Sequence, residues 1–263
     1  MKKAVMLFAA AFALFFLSVP VMAEEIQIVG TGAGTEIIDD LGKAFSKDNP
    51  GVTIAVPKSI GSGGGIKAVG TDAAKLGRVG RGIKDNEKSY GLTYLPIAKL
   101  PIVIMTHKGV GVKNLTPQQI CDIFSGKIAN WKEVGGKEAA IRVVRREDGD
   151  SSLDVLQKTL PGFKTIAITT KSKTTLSDPE TIEMVAKTAG TISFGTYANT
   201  KVSDVTTLTI GGKSAQSADY PYVGDLALVF KEKNKTGNIA KFLEFITSAA
   251  APDAIKGAGG LTL

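Results

Sequence analysis

The stretch IQIVGTGAGTEIIDDLGKAFSKDNPGVTIAV, residues 26–56, decides the fold class. It opens with an apolar run of strand length at residues 26–29, and apolar positions then recur on one side of a helix over residues 35–48. Asn49-Pro50-Gly51 ends that helix, and a second strand follows at residues 52–56. A strand–helix–strand order of this kind builds a parallel sheet that is covered by helices.

The alternation of strands and helices continues through the rest of the chain. A glycine-rich turn at residues 59–65, a short helical stretch from Ile66 and a strand at residues 76–79 extend the unit to βαβαβ. Because no linker and no repeat is visible, the pattern predicts a two-domain α/β protein whose chain passes between the domains more than once. Further strands are predicted at residues 100–106, 141–144, 192–194, 205–210 and 227–230, and helical segments at 117–125, 151–160, 178–188 and 239–255.

The first 23 residues have the features of a secretory signal peptide. Lys2 and Lys3 precede an apolar run over residues 4–19, and Val21-Met22-Ala23 places small residues at −3 and −1 of a cleavage site. That run is shorter than the ~20 residues that span a bilayer, so a cleaved signal is favoured over a membrane anchor. The sequence therefore predicts an exported, soluble chain that begins at Glu24.

Composition narrows the classes of function. One cysteine, Cys121, excludes an internal disulfide framework, and with a single His107 it argues against a zinc site. Lys and Arg outnumber Asp and Glu by 32 to 25, but these charges are interspersed and only 6% of residues are aromatic. This distribution disfavours nucleic-acid binding, whereas a modest positive excess suits attraction of a small anion. No cofactor and no metal is expected.

Two of three candidate anion-binding turns are rich in glycine. Residues 30–35, Gly-Thr-Gly-Ala-Gly-Thr, lie between a strand and a helix, where free backbone N–H groups and the helix dipole favour an anion. They lack the final glycine of the dinucleotide fingerprint G-x-G-x-x-G, and a tight turn without a ligand is the simpler alternative. Residues 59–67 place four glycines around Ser62 but do not satisfy the P-loop pattern, and here the alternative is a flexible surface loop.

The third candidate turn is Arg-Arg-Glu-Asp-Gly-Asp-Ser-Ser at residues 145–152, which leads into a helix. Arginine matches an oxyanion with paired donors, and because Arg145 and Arg146 alternate in a strand only one of them can face a site. Asp150, Ser151 and Ser152 stand at the helix start, where one of them is expected to cap the helix. The remaining hydroxyl and N–H groups are then free to bind an anion.

Together these segments resemble the phosphate-binding periplasmic proteins of ABC transporters. That family has a Gly-Ala-Gly first turn, a glycine-serine second turn followed by a lysine, an Arg-Arg-x-Asp-Gly third turn, and a D-I-F-x-G-K-I…W segment similar to residues 122–131 here. The resemblance implies the type II periplasmic binding protein fold, in which two α/β domains, each a mostly parallel sheet flanked by helices, enclose a ligand cleft. Domain I would comprise residues 24–105 and 220–263, and domain II residues 106–219.

The resemblance also implies which residues bind the ligand. By matching, donors would come from Gly34, Thr35, Ser62, Gly63, Arg146, Ser151 and Ser152. Two positions depart from the family. The acidic residue that accepts the proton of phosphate is replaced by Gly80, between Arg78 and Arg81, and Asp150 stands where the family usually has serine. Our hypothesis is that Asp150 supplies the missing acceptor while Arg81 or Arg78 adds positive charge, the alternative being that these arginines form structural ion pairs.

The expected function is the binding of inorganic phosphate by a monomeric periplasmic protein that delivers it to the permease of an ABC transporter in the inner membrane. Sulfate or another oxyanion is an alternative ligand. A secreted enzyme acting on phosphorylated substrates is less favoured, because the sequence offers no metal cluster, and neither His107 nor Cys121 belongs to a recognisable catalytic arrangement. An adhesion or signalling protein on the same fold is a third possibility.

Overall fold

The computed structural model describes residues 24–201 and 203–263, so the predicted signal peptide lies outside the described residues. The strands are β1 (Glu24–Gly30), β2 (Val52–Ala55), β3 (Leu76–Val79), β4 (Thr93–His107), β5 (Asn114–Leu115), β6 (Arg142–Arg146), β7 (Lys173–Thr175), β8 (Thr191–Thr196), β9 (Val205–Ile210) and β10 (Val223–Phe230). The helices are α1 (Thr35–Asp48), α2 (Gly61–Gly70), α3 (Pro117–Ser125), α4 (Ser151–Thr159), α5 (Asp178–Lys187), α6 (Tyr197–Thr200), α7 (Gly237–Ile246) and α8 (Ala251–Gly257).

The strands form one mixed sheet in the order β2-β1-β3-β10-β4-β8-β6-β7, and β9 pairs with both β4 and β5. β1 is parallel to β2 and β3 at one end, and β6 is parallel to β7 and β8 at the other. Between these parallel groups, β10 and β4 run antiparallel to each other and to their outer neighbours. This arrangement confirms the predicted α/β class, with two parallel groups joined by a pair of antiparallel strands.

The strand β4 is longer than predicted and joins the two groups. Its residues 93–101 pair with β10, and its residues 102–107 pair with β8 and β9. Pro96 and Pro101 lie inside it, and the sequence indicated a strand only from Leu100, with Pro101 at its start. The register shifts where Pro96 pairs with Ala227, and such an irregularity accommodates a residue that lacks an N–H donor.

Two helical predictions are wrong in their bounds. The helix α2 begins at Gly61 rather than Ile66, so the glycine-rich turn forms the helix's first turns. Glycine is a weak helix former, but a Cβ at Gly65 would lie 2.9 Å from Gly30 Cα, so small residues let α2 pack closely on β1. The C-terminal segment forms two helices, and a hydrogen bond from Ala251 N to Ser248 O lies between them.

The core lies between the sheet and the helices that cover it. The apolar face of α1 is buried as its periodicity predicts, and the ring of Phe45 meets that of Phe242 from α7 edge-on, with centroids 5.3 Å apart. Trp131 and Cys121 are buried in the same core, so both have packing roles. Among residues 24–201 and 203–263, no helix has the length and apolar character needed to cross a membrane.

Candidate anion-binding site

A cavity of about 280 Å³ lies where the three candidate turns meet. Thr31 from the first turn, Ser62 and Gly63 from the second, and Arg146 from the third all contribute to its wall. The amino ends of α2 and α4 also border it, which adds helix N-termini to the lining. The other lining residues are Ser59, Ile60, Gly61, Gly64, Arg81, Lys84, Glu147, Asp148, Gly149, Asp150, Ser151 and Leu176.

Arg146 is the buried cation of this cavity. It ends β6, is only 2% exposed, and is held between two carboxylates. Its Nη1 donates to Asp178 Oδ1, and its Nη2 donates to Asp150 Oδ2 at 2.7 Å. Two carboxylates offset the cost of burying the guanidinium and fix its plane. Arg145 lies on the other side of the strand and pairs with the exposed Asp148.

Asp150 caps α4 and pairs with Arg146 at the same time. Its Oδ1 accepts a hydrogen bond from Leu153 N at 3.0 Å, as expected for an N-cap residue. Burial raises the pKa of this carboxyl to about 6; Arg146 opposes that rise, and the nearby Asp178 adds to it. Asp150 therefore lies in the cavity wall rather than in solvent, and its charge changes near neutral pH.

Several donors around the cavity have no partner in the protein. Ser62 Oγ accepts from Gly80 N at 3.0 Å, which leaves its own hydrogen free to donate. Seven buried side-chain polar atoms in the described part of the chain lack any hydrogen-bond partner, and four of them belong to predicted site residues. These four are Arg81 Nε, Arg146 Nε and Ser151 Oγ, whose residues line the cavity, and Ser152 Oγ, whose residue does not. Because buried polar groups are normally paired, the three atoms at the cavity offer donor capacity to a ligand.

The two arginines beside Gly80 have different environments. Arg81 lies in the cavity wall but pairs with both oxygens of Glu87, each at 2.8 Å, so its charge is already neutralised. Arg78 is fully buried and donates to the carbonyl oxygens of Thr31, Pro57 and Ile28, while burial lowers its pKa to about 10. Arg78 therefore joins the first turn to the sheet and does not add charge to the cavity.

The first turn is oriented differently from the sequence-based expectation. Gly34 N donates to Asn199 Oδ1 at 3.1 Å, and Thr35 Oγ1 accepts from Asn199 Nδ2 at 3.1 Å. Neither Gly34 nor Thr35 lines the cavity, because the α6 side chain occupies their polar groups; Thr31 lines it instead. Asp178 was also missed as a site residue, since the sequence indicated only a helix start there.

Gly80, where the resemblance implies an acidic residue, is closely packed. A Cβ at Gly80 would lie 2.5 Å from Ser151 Oγ and 2.9 Å from Ser151 Cβ. Real Cβ atoms essentially never approach other heavy atoms so closely, so an acidic side chain at position 80 is incompatible with α4 in its present place. The close approach of Ser151 therefore leaves no room for an acidic side chain at position 80.

Comparison with known proteins gives the family. A model described as a PBP superfamily domain matches residues 20–250 of the chain. The chain belongs to the PBP superfamily. Its relatives include the phosphate-binding protein PstS of Bacillus subtilis, 27% identical over 85% of this chain and 75% of that protein, and PstS of Borreliella burgdorferi, 23% identical over 90% and 89%.

A solved PBP superfamily structure is closely similar. It is described as a phosphate ABC transporter substrate-binding protein from Clostridium perfringens with bound phosphate; it is 31% identical, with a TM-score of 0.81. The match covers 91% of this chain and all of that one. A phosphate-binding protein from Stenotrophomonas maltophilia, 16% identical with a TM-score of 0.72 over about 90% of each chain, shares the fold. The neighbours are type II periplasmic binding proteins, as the sequence predicted.

A second, larger cavity lies away from the three turns. It measures about 820 Å³ and is bordered by α3, β6 and α5, with none of the predicted site residues in its wall. Two acidic residues, Glu180 and Glu183, line it, and Glu183 pairs with Lys187. Within residues 24–201 and 203–263, no group of three or more His, Cys, Asp or Glu side chains is arranged to hold a metal ion.

Proposed function

We propose that this PBP superfamily member binds inorganic phosphate outside the cytoplasm and presents it to the permease of an ABC transporter for import. The observation that carries the proposal is the pair of unpartnered buried donors, Arg146 Nε and Ser151 Oγ, at a small polar cavity. A tetrahedral oxyanion would accept from both of them at once. The phosphate-binding protein of Bacillus subtilis and the phosphate-bound structure from Clostridium perfringens support phosphate as that anion.

The proposal places the ligand between two lobes, residues 24–105 with 220–263 and residues 106–219. It is supported by the long strand β4, which pairs with a different group of strands at each end. The second crossing lies beside the first, since Ile102 N donates to Tyr222 O at 2.8 Å and Tyr220 Oη donates to Ile102 O at 2.7 Å. Closure of the lobes would enclose the anion, and a permease would recognise the closed form.

Export to the periplasm through a cleaved signal peptide, with binding as a monomer, completes the proposal. It is supported by the sequence pattern of residues 1–23, and cleavage is checked by sequencing the amino terminus of the exported chain. A terminus at Glu24 is the expected result, whereas retention of Lys2 and Lys3 would contradict it.

Calorimetric titration tests the binding step. The chain from Glu24 onwards should bind phosphate and arsenate, and Arg146→Met should weaken phosphate binding by about 100-fold or more because a buried charge pair loses its cation. Arg145→Met is the matched control, since Arg145 lies on the same strand but pairs with exposed Asp148. Equal affinity in the two variants would contradict the proposed site.

The same sample separates the rival functions. Sulfate titration tests whether Asp150 discriminates against an anion that has no proton to donate. If it does, Asp150→Asn should reduce the ratio of the phosphate affinity to the sulfate affinity. Release of phosphate from phosphorylated substrates, measured in parallel, tests for an enzyme. Hydrolysis without tight binding of phosphate would favour the enzyme and overturn the transport proposal.

A further inference from the structure

Asn199 joins the first turn to the other half of the molecule. It is 4% exposed and lies in α6, after β8, about 165 positions from the turn that it contacts. Its Oδ1 accepts from Gly34 N at 3.1 Å, while its Nδ2 donates to Gly32 O at 2.8 Å and to Thr35 Oγ1 at 3.1 Å. One carboxamide therefore satisfies both a donor and an acceptor of the backbone on a glycine turn.

The hydrogen-bond network around the Asn199 side chain extends to the buried guanidinium of Arg146. Thr196 Oγ1 lies 2.9 Å from Asn199 Oδ1 and 3.2 Å from Asp178 Oδ2, so its single hydrogen is shared between two acceptors. The other oxygen of Asp178 accepts from Arg146 Nη1. An uninterrupted buried chain of polar contacts thus runs from the first turn to the cation of the cavity.

Backbone packing brings the same two regions together. A Cβ at Gly32 would lie 3.3 Å from both Asp178 N and Pro179 Cδ, so the first turn lies directly on the start of α5. Asn199 itself does not line the cavity. Its influence on a bound anion must therefore be indirect, through the contact between the two halves and through the orientation of Arg146.

We propose that Asn199 is a positioning residue that couples contact between the two lobes to the orientation of Arg146. The inference rests on the proposed function, because it assigns a role in anion retention. Separation of the lobes would break the three contacts with the first turn and leave Thr196 and Asp178 without their link to it. The anion affinity then depends on the fraction of molecules in which this network is formed.

The carboxamide is the required group at this position. Aspartate has nearly the same shape, but it offers only acceptors and would place an oxygen against Gly32 O where Nδ2 now donates. Asn199→Asp therefore removes the hydrogen bond to Gly32 O and adds repulsion there without creating a large cavity. Asn234→Asp is the matched control, since Asn234 is a half-buried residue whose side chain contacts Lys75 O, remote from the cavity.

The test combines equilibrium and kinetic measurements of phosphate binding. We expect Asn199→Asp to weaken affinity about tenfold or more through faster dissociation, with association nearly unchanged, and Asn234→Asp to match the wild type. Small-angle scattering should show incomplete compaction of Asn199→Asp on adding phosphate. A folded Asn199→Asp protein with wild-type dissociation rate and compaction would overturn the inference.

Two further arms keep the test decisive. If Asn199→Asp does not fold, Thr196→Val interrupts the path to Asp178 and leaves the amide's contacts with the first turn in place. It should still speed dissociation, and a wild-type dissociation rate in Thr196→Val would then count against the inference. Failure of the wild-type protein to bind phosphate would instead contradict the proposed function. The failure of the inference about Asn199 can thus be distinguished from the failure of the proposed function.

Discussion

Two buried arginines of this chain have opposite kinds of partners. Arg78 donates to three backbone carbonyls and forms no ion pair among the described residues, whereas Arg146 contacts two carboxylates and keeps an unpartnered Nε. Arg78 therefore stabilises the fold, and Arg146 retains donor capacity for a ligand. The comparison teaches that burial and charge alone do not identify an anion site; the unused donors do.

The largest expected effect concerns stability. Arg78→Met leaves the carbonyl oxygens of Ile28, Thr31 and Pro57 without this donor in a buried site, and we expect it to lower the free energy of unfolding by about 3 kcal/mol or more. Urea denaturation measures this. Arg146→Met should lose binding instead, so a stable Arg78→Met protein that no longer binds phosphate would reverse the assignment of the two arginines.

A substitution at Gly80 is expected to have an intermediate effect, on phosphate affinity. Gly80→Ala places a Cβ 2.5 Å from Ser151 Oγ, which should push α4 away and weaken phosphate binding about tenfold. Gly82→Ala is the control, because nothing lies within 4 Å of the added Cβ. Calorimetry on both variants compares them, and equal affinities would show that the contact with Ser151 does not shape the site.

The smallest expected effect is a change in sulfate affinity with pH. The pKa of Asp150 is raised to about 6 by burial, so the carboxyl gains a proton as pH falls from 7 to 5 and the repulsion of a bound anion decreases. We expect sulfate, whose own charge is constant over this range, to bind about fivefold more tightly at pH 5 than at pH 7. Asp150→Asn should remove most of that dependence. An unchanged pH profile in the variant would assign the proton to another group.

Sequence reasoning succeeded where the signal was local. Thr116, Pro117 and the apolar period fixed the bounds of α3, and the group Asp150, Ser151 and Ser152 marked the start of α4, where the structure shows Asp150 as the cap. It failed for β5 and β7, which have two and three residues and so show no periodicity, and for the glycine-rich start of α2, where close packing on the sheet outweighs weak helix propensity.

For the site too, sequence reasoning succeeded with local motifs and failed with contacts between residues that are distant in sequence. The glycine, serine and arginine motifs predicted which segments meet, because each motif lies on one short stretch of chain. The roles of Gly34 and Asp178 could not be predicted in this way, since their partners Asn199 and Arg146 are distant in sequence. Sequence spacing likewise cannot show that Arg78 is turned toward backbone carbonyls while Arg146 faces a cavity.

The two ends of the proposed mature chain limit how the proposed closure of the lobes can be observed. Glu24, where that chain is proposed to begin, pairs with Val52 in β2, and Leu261 pairs with Lys99 in the first half of β4, so both lie in the proposed first lobe. Fluorescent dyes attached to the two termini would keep a constant separation during any movement about β4 and β10. A useful optical reporter needs one dye on an internal surface position such as Lys164 and the other near a terminus.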